Sequence, residues 1–295
     1  MRNRFTGAII AALAVLVFSS AIAPMAHSQS NQQADPSSRW RFNPQDFAEG
    51  GGGPAPKRDL TGTWAGPGSS PLVPRAGGKG ADKPELTPYG EKLMSQVKPI
   101  GKYSPAGTND PHARYCDPVG FPQNAYTEAR GLTIATMPDR IIILLQYMNV
   151  WREVWTDGRP LPTTVGGTGK DALDPTYNGY SVGHWEDDNT FVVDTTGMDD
   201  RTWITGAGYP HSVNAHVQER YTRIDRNDLR VSLTIDDPKV YTKPWSLGTY
   251  NYKWIPNQKF DDFACIPSEV IKYLSDLGDP AGSDPSAEGQ RIGGR

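Results

Sequence analysis

The chain has little that marks a common chemistry. It holds only two cysteines among 295 residues. They are far apart, so no Cys-x-x-Cys spacing exists for a cysteine-based metal centre. No His-Glu-x-x-His run is present, which removes the metalloprotease signature. Charge of either sign is not in excess: 30 Lys and Arg stand against 33 Asp and Glu, a net of -3. A nucleic-acid binder would be expected to carry a basic surplus, and there is none. Beyond the N-terminal stretch no apolar run approaches the ~20 residues of a membrane helix, so no integral membrane segment is expected. Strand-helix alternation is also missing, which argues against a parallel α/β sheet.

What the chain does have is turn residues and aromatics. Gly numbers 31 and Pro 26, beside 8 Trp and 13 Tyr. Long helices and coiled coils do not tolerate that much Gly and Pro; a turn-rich β protein does.

The first segment reads as an address. Arg2 and Arg4 precede an apolar run, Gly7 to Phe18, and small and polar residues follow to Ala26-His27-Ser28. That layout is a secretory signal, here taken as 1–28. No cysteine lies near the site, so a lipid anchor is not expected. The compartment implied is the periplasm or the outside of a bacterium. Residues 29–58, rich in Gln, Ser, Pro and Gly, read as a disordered linker, and 279–295 as a disordered tail. Between them, 59–278 forms one β-rich domain with an irregular insertion at 66–130. Cys116 and Cys265 allow a single disulfide, which would tie the irregular arm to the end of the core. Two free buried thiols are the alternative.

Nine strands can be placed. They begin near Leu60–Trp64, Leu132–Met137, Arg140–Met148 and Val150–Thr156. Tyr180–Glu186, Thr190–Thr196, Ala215–Ile224, Leu229–Asp236 and Leu247–Ile255 complete them. Leu229, Val231, Leu233 and Ile235 alternate with polar residues, the cleanest period of two in the chain. Arg140–Met148 is nearly all apolar, which predicts burial on both faces. Asp157-Gly158 is expected to close a hairpin. A helix is expected at Thr87–Val97, with Thr87 as cap and Pro88 in the first turn. Strands joined by short turns pair antiparallel. The fold class expected is therefore mainly β: an antiparallel meander of about 8–9 strands closed as a lipocalin-like barrel, with an irregular N-terminal arm and few helices. An open sandwich is the alternative.

Several stretches carry a resemblance. Trp155-Thr156-Asp157-Gly158-Arg159, Gly179-Tyr180-Ser181-Val182-Gly183-His184-Trp185-Glu186 and Val192-Val193-Asp194-Thr195 are three of them. His216 to Tyr221 and Thr234 to Trp245 are two more. Together, over roughly 59–266, they are similar to a large family of secreted, mostly uncharacterised bacterial proteins. That resemblance implies no catalytic residues. Separately, Gly62-Thr63-Trp64 resembles the Gly-x-Trp entry of lipocalin-like barrels, which implies a Trp plugging one barrel end. The insertion at 66–130 departs from a plain lipocalin.

The densest polar stretch runs from Gly197 to His216. Hairpin loops usually have 2–5 residues, and loops this long are often functional. It holds Asp199, Asp200, Trp203, His211 and His216; His184 lies just upstream. A His with a carboxylate partner moves protons near neutral pH. His184, His211, His216, Asp199 and Asp200 are therefore the candidate catalytic residues. His216 and Glu219 differ in strand parity and should face opposite sides. The three histidines lack a spacing that supports a metal, so none is expected, nor an organic cofactor. Trp155, Trp203, Tyr241 and Trp245 are the candidate pocket walls. Asp236-Asp237-Pro238 also reads as a turn whose Tyr241 and Trp245 simply cover the barrel end. Gly166-Gly167-Thr168-Gly169-Lys170 lacks full phosphate-loop spacing and reads as a flexible loop.

The expectation is a secreted, cofactor-independent enzyme of isomerase, lyase or hydrolase type. Its substrate would be a small, partly apolar or aromatic molecule in the barrel pocket. The alternative is a carrier on the same barrel, with an apolar ligand and no turnover. A small-molecule ligand is the partner implied; oligomeric state is not legible.

Overall fold

The computed structural model describes residues 47–49, 52–66, 83–99, 107–126, 131–256, 258, 260 and 264–278. The expected signal at 1–28 and the expected tail at 279–295 lie outside them. Nine strands close into a barrel in sequence order. They are β1 (Gly62–Ala65), β2 (Gly131–Thr136), β3 (Arg140–Leu145), β4 (Val150–Trp155) and β5 (Tyr180–Trp185), then β6 (Thr190–Thr196), β7 (His216–Arg223), β8 (Asp228–Asp236) and β9 (Trp245–Trp254). β1 pairs with β9 through Trp64 and Trp254, which leaves no open edge.

The mainly β barrel with few helices is as expected, with one correction. β4 and β5 run parallel, Val154 beside Ser181 and Trp155 beside Val182. A parallel neighbour needs a connection of a dozen residues or more, and 156–179 supplies it. The turn at Asp157-Gly158 does form, with Gly158 at φ +84°. It opens this crossover instead of closing a hairpin.

Alternation sorts the side chains. In β8 Leu229, Val231, Leu233 and Ile235 are buried between exposed or half-buried neighbours. β3 was expected to be buried on both faces but is not: Ile141, Ile143 and Leu145 point in, while Leu144 is exposed. β4 buries Val154 and a charged residue on one face. Trp151 is 62% exposed and faces outward, whereas Arg152 is buried and faces the core. The reason is chemical: the bore holds a carboxylate partner for Arg152.

Trp64 is fully buried. Its indole N–H donates to the Leu60 carbonyl at 3.1 Å, and the Arg223 guanidinium lies 4.6 Å over its ring. Arg223 also donates to the carbonyls of Asp59 and Arg226.

The pairing order sends the tight turns 137–139, 186–189 and 224–227 to this end of the barrel. The other end receives the long connections: 66–130, 197–215 and 237–244. Within 66–130, α1 (Pro88–Met94) starts at Thr87, whose hydroxyl accepts from Gly90 N as expected of a cap. Gly90 is required there, since a Cβ would stand 2.3 Å from the Val240 carbonyl oxygen. α2 (Pro111–Tyr115) is capped by Asp110, and α3 (Gln123–Tyr126) is wholly buried. Cys116 follows α2 and is bonded to Cys265, which precedes α4 (Pro267–Tyr273). Among the described residues no helix is long and apolar enough to cross a membrane.

Candidate functional site

The bore is filled, and its filling is polar at the centre. Arg152 of β4 makes a two-point contact with Glu219 of β7, Nη2 to Oε2 at 2.7 Å and Nη1 to Oε1 at 3.0 Å. Nη2 also reaches Ser181 of β5 and Thr195 of β6, each at 3.3 Å. Arg152 thus ties the short parallel seam to the strands beyond it. Tyr221 donates to Glu219 Oε1 at 2.7 Å, and Tyr126 of α3 donates to the same oxygen. The Phe121 ring lies 3.6 Å from the Arg152 guanidinium. Burial alone would lower the Arg152 pKa, but the charge and hydrogen bonds of Glu219 more than offset it and hold the cation. Burial, with Glu219 beside them, pushes both tyrosines well above the phenol range, so both remain donors.

Sequence reasoning found no Gly-x-Ser-x-Gly elbow and so gave a serine hydrolase of that class no support, yet the run is present around Ser181. Gly179-Tyr180-Ser181-Val182-Gly183 spells Gly-x-Ser-x-Gly. A nucleophile elbow puts its Ser on a sharp strand-to-helix turn. Ser181 instead lies within β5, buried, with its hydroxyl 2.8 Å from Thr195 Oγ1. No histidine is bonded to it among the described residues. The motif here is a strand segment.

The loop 197–215 packs over the barrel end that receives the long connections. Met198, Ile204 and Ala215 join the core. His211 is 1% exposed, with Nδ1 3.1 Å from the Ser212 carbonyl and Nε2 3.0 Å from Thr202 Oγ1. Burial lowers its pKa. Asp199 does not bond it; its carboxylate takes the Arg201 guanidinium in two contacts of 2.9 and 2.5 Å. Asp200 is exposed. His216 faces outward and meets Asp194 at 2.9 Å, on the opposite side of β7 from Glu219, as parity predicts. His184 is exposed on the outer face of β5. The five candidate catalytic residues therefore do not converge.

The candidate pocket walls separate too. Trp155 lies on the outer face between Arg140 and Arg159, at 3.8 and 3.5 Å from the two guanidinium carbons. Tyr241 and Trp245 are buried in the core with ring centroids 5.4 Å apart, and Tyr209 packs on Trp245. Tyr241 donates to the Pro210 carbonyl at 2.7 Å. Asp237 accepts from Ser212 N at 2.6 Å and from Ser212 Oγ at 3.0 Å. The two dense polar stretches of the sequence are thus each other's partners, loop 197–215 locked to corner 237–245. Of the four, Trp203 lines an open site.

That site is a shallow cleft open to solvent, with enclosed room on the scale of about one water molecule. Asp110, His112, Asp117 and Gln123 form the arm side, with Pro111, Pro118 and Val119. Tyr177, Arg201, Thr202 and Trp203 form the other. His112 Nδ1 lies 2.8 Å from the Asp117 carbonyl, which can only accept. Neutral His112 therefore carries its proton on Nδ1, and Nε2 accepts from the Tyr147 hydroxyl at 3.1 Å. Tyr147 is presented by a turn in which Met148 and Asn149 both adopt positive φ, +63° and +49°. Asp110 is pushed up by burial, although the amides of His112 and Ala113 pull the other way. Arg201 lies 5.4 Å from the Tyr177 ring centre. Sequence reasoning set His112 aside because it sits in the irregular arm; the available signal was Asp110-Pro111, a cap and first turn that fix its neighbour.

Among the described residues no group of three or more His, Cys, Asp or Glu is placed to hold a metal ion. Comparison of the chain with family models, with curated proteins and with solved structures finds no match.

Proposed function

We propose that this is an exported small-molecule-binding protein whose ligand, a small, partly aromatic molecule with a polar substituent, docks at the mouth of the cleft between the arm and loop 197–215. One observation carries the reading: an open concavity gathers Trp203, Tyr177, Arg201 and His112, while the bore is closed by side chains. An apolar wall with a few convergent polar groups is what a small-molecule site requires. Asp199 fixes the Arg201 guanidinium, so the charged wall is pre-formed. The secretory layout of 1–28 and the Cys116–Cys265 bond support export. The reading is tested by titrating purified protein with a panel of aromatic acids, amines and neutral phenyl compounds. Saturable binding that Trp203→Ala weakens supports it; binding that ignores Trp203 and Arg201 counts against it.

A second reading, turnover by acid–base chemistry, has its own support. Asp110, raised by burial, shares the cleft with His112, whose tautomer is fixed. Displaced pKa values in a cleft accompany proton transfer. Consumption of a bound ligand that stops in Asp110→Asn, which keeps the helix cap, would favour it over simple carriage.

A further inference from the structure

We infer that the bore of the barrel is itself a site for a small monophenol, and that Tyr126 of the arm holds its place. The cluster at the centre of the bore is built from the walls alone. Arg152, Ser181, Thr195, Glu219 and Tyr221 come from four different strands and are each at least nine-tenths buried. Stability does not account for it, since a buried ion pair is often replaced by apolar side chains of similar volume at no loss.

The side chains that complete the cluster come from outside the barrel. Tyr126 belongs to the insertion, not to a strand, and its phenol donates to Glu219 Oε1 and lies 3.0 Å from the Tyr221 hydroxyl. Its ring packs against Tyr250, tilted by 40° with centroids 5.2 Å apart. A ring with a hydroxyl at one end is thus held by an aromatic wall and a carboxylate, which is the recognition a phenol needs.

The arm's fit is incomplete. Arg152 Nε on the wall and Asn124 Oδ1 on α3 are buried with no hydrogen-bond partner. Native structures leave few such atoms, and a ligand or water that pairs them would be favoured over the arm. Val119 and Gln123 of the arm line the cleft described above, and admission of a phenol requires the arm to part there from loop 197–215.

The probe is p-cresol, the tyrosine side chain as a free molecule, with toluene as the matched ring lacking the hydroxyl. In wild-type protein, saturating p-cresol should raise amide hydrogen exchange across 121–126, and toluene should not. In Tyr126→Ala the vacated ring space should bind p-cresol about tenfold or more tightly than toluene, the discrimination of a hydrogen bond to a charged acceptor. Equal affinity for the two would show a hole selected by shape alone and overturn the phenol assignment. Unchanged exchange at 121–126 in the wild type would make Tyr126 a permanent core residue and overturn the site. The wild-type measurement stands even if the variant does not fold. Neither result bears on cleft binding, which Trp203→Ala reports separately.

Discussion

Replacing Glu219 by Gln keeps the shape of the bore and removes the anionic partner that Arg152 has among the described residues. The side chains of both are at most 1% exposed, so solvent cannot compensate. Breaking a buried pair by removing one partner costs about 3–5 kcal/mol. Tyr126 and Tyr221 would also lose the charged acceptor to which both now donate. For a domain of this size about 1 kcal/mol moves Tm by roughly 2–4 °C, so Glu219→Gln should melt about 6–20 °C lower. The double variant Arg152→Met with Glu219→Leu removes both charges and should recover most of that loss. Calorimetric or circular-dichroism melts of the three proteins at one pH and salt give the comparison. A Glu219→Gln melt within 2 °C of wild type, or a double variant no better than the single, would refute the claim that the penalty is an orphaned charge.

Loss of the Cys116–Cys265 bond frees a loop with a sequence separation of 149. Reduction should lower stability by about 2–5 kcal/mol, read as Tm with and without reductant; an unchanged Tm would show that the bond constrains little. Burial holds His211 below the ordinary imidazole range. The unfolded chain therefore binds a proton first as pH falls through about 6.5, so this contribution is full above that pH and lost below it, toward the depressed folded value. Urea melts at pH 7.5 and 5.5 should show a drop that His211→Asn reduces; an equal drop in the variant would contradict the assignment. Gly90→Ala should destabilise the docking of α1, because the added Cβ would meet the Val240 carbonyl oxygen at 2.3 Å; a neutral melt would mean that the helix shifts freely.

Strand positions were legible because period-two burial is local. Leu229 to Ile235 alternate in the sequence as they do in the barrel. The β4–β5 direction was not, since parallel pairing leaves no mark in either strand; only the length of 156–179 pointed to it. The orientation of β4 was hidden for a different reason. Either face of β4 carries apolar side chains, and Arg152 points in beside Val154 because Glu219, 67 residues away in sequence, waits there. Loop 197–215 was legible as exceptional from its length. The role of its polar residues was not: His211 and Ser212 bond within the loop and to Asp237, anchoring it where a catalytic reading would have them face a substrate. His112 carried too little local pattern to stand out.

The cleft is tested most directly by backbone amide NMR of the labelled protein during titration with the aromatic panel. The account predicts saturable shifts confined to 110–123, 177 and 201–203, lost in Trp203→Ala. Shifts that instead map to the outer face around Trp151 and Trp155, or a panel that moves no resonance in the cleft, would contradict it.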